Sequence, residues 1–239
     1  MIRIDKLLAN MGYGSRKEVK PLFKKGKVFV NDQIVKDPSI KVDPEKEKVQ
    51  VDGQEVEYKP YIYVMMNKPK GVICATHDKL HRTVIDLLDE DLQSIYAPFP
   101  VGRLDKDTEG LLLLTNDGDF SHALMSPRKH VTKQYWAKIR GRVNEEDQKA
   151  FREGVKLDDG YMTKPGELVI VDSNETSEIL LTISEGKFHQ VKRMFLARDK
   201  EVTELKRLKV GALELDSNLK LGDYRELTEQ EKQLLVGKR

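Results

Sequence analysis

The sequence predicts an α+β protein of two domains, a small N-terminal module followed by a larger, strand-rich one. Three observations lead there. Residues up to about 58 compress two short helical patterns and several short strands into a basic stretch. The pattern then breaks at Glu57-Tyr58-Lys59-Pro60. After it, long apolar strand runs alternate with amphipathic helices. The boundary is placed there, giving domains at 1–58 and 61–239, and a chain of 239 residues is long enough for both.

Ile4, Leu7, Leu8 and Met11 recur at helical spacing and predict a helix over 3–12. Gly12 and Gly14 break it, and Ser15 is a suitable N-cap for a second helix over roughly 16–25, which Gly26 ends. Lys27 to Val30 and Gln33 to Val35 read as paired strands about an Asn31-Asp32 turn, and Val49 to Val56 as a hairpin turning at Asp52-Gly53. Beyond Pro60, strands are expected at 61–67, 110–115, 134–141, 167–173, 178–184 and 205–215. Helices are expected near 83–89, 118–125, 144–154, 187–198 and 228–235, the last opened by the capping-box spacing of Thr228 and Glu231. In the 134–141 strand, Trp136 is expected to pack in the core, on the face opposite Tyr135.

Composition narrows the function classes. With 38% hydrophobic and 34% charged residues the chain reads as a charge-rich globular protein. No apolar run approaches the roughly 20 residues that span a bilayer. Asp5 interrupts the N-terminus, so it does not read as a signal peptide, and a cytoplasmic location with no membrane partner is expected. Cys74 stands alone, which excludes an internal disulfide, and the five His lack metal-ligand spacing. No metal and no cofactor are expected, and a monomer is. Net charge is only +2, yet residues 1–30 hold eight basic side chains against two acidic ones. Such a concentrated patch fits contact with phosphates.

The N-terminal residues run Arg3-x-Asp5-Lys6-Leu7-Leu8-Ala9, Gly12, Ser15-Arg16 and Gly26-x-Val28-x-Val30-Asn31. This order resembles the S-four type RNA-binding domain. The resemblance implies a module that presents Arg3, Lys6, Arg16, Lys17 and Lys20 to structured RNA, read by backbone and shape.

The most informative stretch is Val101-Gly102-Arg103-Leu104-Asp105-Lys106-Asp107-Thr108-Glu109-Gly110, followed by Leu111 to Leu114 and Thr115-Asn116-Asp117-Gly118. It reads as a charged loop, a buried strand and a turn. A carboxylate beside that apolar wall can act as nucleophile or base if a cation keeps it ionised. Asp105, Asp107 and Glu109 alternate in a loosely calcium-loop-like way, but the Leu run falls where further ligands would be needed.

This stretch resembles the signature of the RsuA family of rRNA pseudouridine synthases. Three further segments agree in order: Met66-Asn67-Lys68-Pro69-Lys70-Gly71-Val72, Lys133-Gln134-Tyr135, and Glu185-Gly186-Lys187-Phe188-His189-Gln190-Val191-Lys192-Arg193-Met194. The resemblance implies a catalytic domain with a bent, mainly antiparallel mixed sheet flanked by helices, and a cleft across its middle. It implies Asp105 as nucleophile and Lys192 as the cation paired with it, with Arg193 an alternative for that pairing. It implies Tyr135 as the active-site tyrosine, Arg103 holding the opened site, and Val191 packing beneath the base. Lys68, Lys70, Arg128, Lys129, Lys133, Lys187 and Arg193 would line the approach for RNA phosphates. The implied partner is ribosomal RNA, within a small-subunit assembly intermediate, and the implied product is pseudouridine at one uridine of 16S rRNA. The same chemistry on 23S rRNA, or a non-catalytic RNA-binding assembly factor, are the competing readings.

Overall fold

The computed structural model describes residues 1–126 and 129–236. They form two compact units, one of Met1–Ile62 with Asp89–Pro98, the other of Tyr63–Leu88 with Phe99 onward.

In the first unit, β1 (Ile2–Arg3) leads into α1 (Ile4–Asn10), and α2 (Lys20–Lys24) follows. Strands β2 (Val28–Val30), β3 (Gln33–Ile34), β5 (Val49–Val51) and β6 (Gln54–Glu55) form one sheet, and β4 (Lys41–Val42) pairs with β1. Helix α3 (Glu90–Tyr96) belongs to the same unit. Ile4, Leu7, Leu8, Phe23, Val28 and Val51 lie in its core, as the helical and alternating patterns require. Both two-residue hairpin turns have positive φ at both positions, Asn31-Asp32 and Asp52-Gly53, the geometry that suits the right-handed twist of the strands. The second helix is shorter than the expected 16–25. Ser15 and Glu18 do exchange capping hydrogen bonds, but residues 16–19 stay a turn and α2 begins at Lys20. Pro21 has no N–H to give to the preceding turn, a limit that apolar spacing does not register.

The second unit is a mixed, mainly antiparallel sheet with helices packed on it. Its strands are β7 (Tyr63–Lys68), β8 (Phe99–Val101), β9 (Glu109–Thr115), β10 (Lys133–Arg140), β11 (Glu167–Asp172), β12 (Thr176–Ile183), β13 (Glu201–Val210), β14 (Leu213–Glu214) and β15 (Tyr224–Glu226). They order as β11-β12-β10-β13-β9-β7-β15, with β8 added on β9 and β14 on β13. Its helices are α4 (Gly118–Met125), α5 (Glu145–Glu153), α6 (Gln190–Leu196) and α7 (Glu229–Val236). The expected 205–215 strand is the end of β13 and a hairpin to β14 that turns at Gly211. The expected 83–89 helix is one 3₁₀ turn at Ile85–Leu87.

One edge of β9 explains where the site lies. β7 takes the other edge along its whole length. On the free edge β8 pairs with Leu113 to Thr115, while β13 pairs in parallel through only two rungs, Lys206 with Glu109 and Arg207 with Gly110. Loop 102–108 leaves the sheet in the gap between these two partners. Gly110 permits the approach of β13. Its φ is +104°, and a Cβ there would sit 2.2 Å from the carbonyl oxygen of Arg207.

Candidate active site

Loop 102–108 is fixed from behind. The backbone N–H of Gly71 donates to the carbonyl of Lys106 at 2.8 Å, that of Thr108 to the carbonyl of Asp105 at 3.1 Å, and that of Leu104 to Cys74 Sγ at 3.2 Å. Beneath it lies Lys68, the last residue of β7. Its ammonium gives its three hydrogens to the carbonyls of Pro69, Asp105 and Thr108 at 3.0, 3.0 and 2.9 Å. Burial pushes the Lys68 pKa down, while Cys74, Asp107, Asp105 and Glu109 push it back. Lys68 is fully buried. The expectation that it meets RNA phosphates is therefore corrected, because its donors are spent inside the protein and it clamps the loop instead.

So held, the Asp105 carboxylate points into a cleft and meets α6. Lys192 Nζ lies 3.3 Å from one of its oxygens and His189 Nε2 lies 3.6 Å from the other. Lys192 also donates to Asp107 at 2.6 Å. Burial works against ionisation of Asp107, but the Lys192 hydrogen bond and charge outweigh it and hold the carboxyl below the usual carboxylate range. The first turn of α6 is positioned by Gln190, whose side chain is buried. Its amide donates to Glu185 at 2.7 Å and its oxygen accepts from the Lys187 N–H at 2.8 Å. Glu185 in turn accepts from the Tyr161 hydroxyl and the Lys164 N–H. His189 sits in the left-handed region with φ +47°, so α6 starts at Gln190 rather than at 187. A non-glycine residue held there is strained, and such strain clusters at functional sites.

Tyr135 enters from β10, on the same buried face as Ala137 and Ile139. It faces the cleft, as does Val191, which is buried at the first turn of α6. Trp136 points to the other face and is half-buried, its indole N–H 3.4 Å from Glu178 and Lys138 above its ring. The expectation that Trp136 is the core residue of the pair is thus reversed. The apolar face of β10 is the cleft face, and Tyr135 closes its end. Arg103 is exposed at the cleft and pairs with no carboxylate among the described residues.

Arg193 is occupied elsewhere. Its guanidinium bonds Asp158, with Nε at 2.6 Å, and Asp159 at 2.7 Å, tying α6 to the 155–163 hairpin. These carboxylates raise its pKa. It neither reaches Asp105 nor offers a free guanidinium to RNA, which corrects both expectations for it. Lys70, Lys129 and Lys187 are exposed, Lys187 lying over the Tyr161 ring, while Lys133 is half-buried in the cleft wall. Arg128 lies outside the described residues. In the other unit Lys6, Lys17 and Lys20 are exposed, and Arg3 and Arg16 both grip the buried carboxylate of Asp5.

The cleft measures about 880 Å³, within the range of pockets that take a ligand of nucleotide size. Among the described residues no three His, Cys, Asp or Glu side chains are placed to hold a metal ion. His189 and Arg207 line the cleft without a role expected from the sequence, and Asp107, weighed there only as a metal ligand, accepts from Lys192 instead. His189 stands within the last family-like segment and Asp107 two residues from Asp105, so proximity could have flagged both. Nothing local flags Arg207, which arrives from β13.

Comparison with known proteins finds the following relatives. Residues 62–197 match the RNA pseudouridylate synthase family, and residues 2–48 match the S4 domain. An RNA pseudouridine synthase of Bacillus subtilis, YtzG, described as uncharacterized, is 49% identical over 98% of both chains. Ribosomal small subunit pseudouridine synthase A of Vibrio vulnificus is 39% identical over 96% of this chain and 97% of its own. Ribosomal large subunit pseudouridine synthase B of Bacillus subtilis is 40% identical over 97% and 94%. A crystal structure of a pseudouridylate synthase superposes with a TM-score of 0.69 at 36% identity, covering 99% of this chain and 100% of that one.

Proposed function

The chain belongs to the RNA pseudouridylate synthase family, with an S4 domain ahead of the synthase domain, and from that premise we propose that it converts one uridine of 16S rRNA to pseudouridine with Asp105 as nucleophile. The observation that carries the site assignment is the Asp105 carboxylate in a cleft, 3.3 Å from Lys192 and sharing that cleft with Tyr135. The reaction breaks the bond from uracil N1 to C1′ of the ribose and makes one from C5 to C1′. The hydrogen on C5 ends on N1, so nothing is oxidised and nothing is added. Asp105 either bonds C1′ or takes a proton from C2′, and both routes need its anionic form beside the sugar. The Lys192 ammonium lies 3.3 Å from one oxygen of that carboxylate and His189 Nε2 3.6 Å from the other. Tyr135 stacks on the detached base and relays the C5 proton, and Val191 packs beneath the base. The target uridine must leave its stack at a cost of a few kcal/mol, and the exposed Arg103 is suited to hold the opened strand.

Residues 1–58 then serve as the RNA handle and residues 61–239 as the catalyst. The substrate is read as rRNA in a small-subunit assembly intermediate, met in the cytoplasm by a monomer. The 16S assignment follows the small-subunit relative. The large-subunit relative, at 40% identity against 39%, supports 23S rRNA as the second reading. Mapping pseudouridine on both rRNAs in cells without this protein decides between them. Loss of one 16S site is expected, and loss of a 23S site instead selects the alternative. Restoring the gene with Asp105→Asn should leave the site unmodified. If modification returns, the nucleophile is another residue.

A further inference from the structure

The cleft wall holds two cations, Arg207 and Lys133, that form no ion pair among the described residues. Arg207 on β13 lies directly across from Tyr135 on β10. Lys133 stands two residues before Tyr135, hence on the same face of that strand. Both side chains line the cleft. Arg207 is only 5% exposed. Its Nε donates to the carbonyl of Leu111 at 2.8 Å, and its two terminal nitrogens have no hydrogen-bond partner among the described residues. Lys133 gives one hydrogen bond, to the carbonyl of Val131 at 3.1 Å. Burial first, and then the charge of Arg207, push the Lys133 pKa down, which places the two cations within each other's field. The acids that line the same cleft are engaged elsewhere: Lys192 holds Asp105 and Asp107, and Glu185 accepts from the Tyr161 hydroxyl, the Lys164 N–H and the Gln190 amide.

A buried cation such as Arg207 without a counter-charge is unfavourable, and a half-buried neighbour of like charge, Lys133, makes it more so. A fold that keeps them beside an open cleft fits an anion brought from outside. We propose that Arg207 and Lys133 form an anion subsite that receives a phosphodiester of the RNA strand next to the uridine being modified. Arg207 and Lys133 share the wide cleft with Asp105, Tyr135 and Lys192, while the narrower recess lined by Asp105, Tyr135, Val191 and Lys192 does not include them. A base seated in that recess leaves its backbone in the wide cleft that the two cations line. The guanidinium presents its terminal N–H groups as a fork matched to phosphate oxygens, and the ammonium adds a point charge. The subsite rests on the proposed function only for the identity of the molecule that carries the phosphate.

Titration of the full-length protein with inorganic phosphate, against chloride as control, reads the subsite directly through thermal stabilisation. Lys133→Gln should weaken phosphate binding at least fivefold. Arg207→Lys, which keeps the charge and loses the fork, should weaken it less. Lys138→Gln, on the outer face of the same strand, should not change it. On a 16S rRNA transcript, Lys133→Gln should lower the salt slope of binding by roughly 0.7, the share of one neutralised phosphate, with the loss of activity falling on KM more than on kcat. Unaltered phosphate binding in both Lys133→Gln and Arg207→Lys, with melting temperatures like the wild type, overturns the proposal. A loss confined to kcat at constant salt slope also overturns it, placing the cations on the base instead. The phosphate titration needs no turnover. A transcript left unmodified by the wild type therefore counts against the proposed function and not against the subsite.

Discussion

Lys68 and Lys192 carry the same charge in opposite surroundings, and their substitution should separate stability from chemistry. Lys68 is sealed against three backbone carbonyls. Lys68→Met strands them, and a buried polar group left unsatisfied costs about 1–3 kcal/mol. Calorimetry should show a loss of roughly 3 kcal/mol or more, and an unchanged melting temperature would refute the clamp. Lys192 reaches the cleft and holds two carboxylates. Lys192→Met should fold normally yet lower pseudouridine formation by about 100-fold or more, the usual effect of removing one preorganised electrostatic partner. Lys192→Arg should restore part of that rate, and equal rates for Met and Arg would remove charge from the account. Both lysines stand out in the sequence because both lie in motifs. What they do is less legible. β7 is buried on both faces, so alternation cannot say whether Lys68 points inward or outward. The pairing of Lys192 with Asp105 is legible because the family pattern carries it. The second bond of Lys192, to Asp107, depends on how the turn after Asp105 folds, and no spacing rule states that.

Among the elements, the long ones were legible and the short ones were not. β9, β10 and β12 are legible by their apolar runs, and α5 falls within its expected range, where the structure adds an Asn144–Asp147 capping box. β1, β4, β8 and β15 escape because so few residues carry no period and their partners are distant in sequence, whereas the equally short β3 and β6 are marked by their hairpin turns. The contact that positions the site, β9 against β13, is likewise invisible locally, although Gly110 in the motif marks it. Gly110→Ala would drive a methyl into the Arg207 backbone, which cannot swing aside as a side chain can. A loss of about 3 kcal/mol or more is expected in chemical denaturation, and a loss below about 1 kcal/mol would show that the strands part without strain. Helix α7 offers an acid-sensitive counterpart. Arg225 hydrogen-bonds Glu231 at 2.8 and 2.9 Å, and this bond, ahead of opposing burial and the N–H of Thr228, brings the Glu231 carboxyl down to about 2. A carboxyl depressed in the folded state stabilises above its unfolded pKa of about 4.3 and loses that contribution as pH falls toward about 2. Allowing for solvent screening, about 1–2 kcal/mol is at stake. Glu231→Gln should therefore lower stability at pH 7 and flatten its fall between those limits, and parallel curves for variant and wild type would show that another group governs it.

For the whole molecule, the proposed function assigns RNA binding to the first unit and chemistry to the second, and affinity is where that division can be tested. The first unit has its own apolar core, from Ile4 to Val56, and exposes Lys6, Lys17 and Lys20. Its Arg3 and Arg16 are half-engaged by Asp5, so each guanidinium is held in place with donors left over for a phosphate. The second unit has a separate core around Met65, Leu111, Leu113 and Phe120 and contains the cleft. Two RNA-contacting units on one chain raise the effective concentration of one site once the other is engaged, without any new contact. Neutralising the first should therefore weaken binding while leaving chemistry on bound RNA intact. The variant with Lys6, Lys17 and Lys20 all changed to Gln is expected to bind rRNA more weakly. Its salt slope should fall by roughly 0.7–0.9 for each phosphate no longer neutralised. Single-turnover rates at saturating enzyme should stay within about twofold, because uniform binding does not enter the step from bound RNA to product. The measurement pairs filter binding across a salt series with single-turnover pseudouridine assays. A constant slope would remove these three lysines from RNA contact. A matching fall in the saturated rate would mean that the first unit also shapes the catalytic complex.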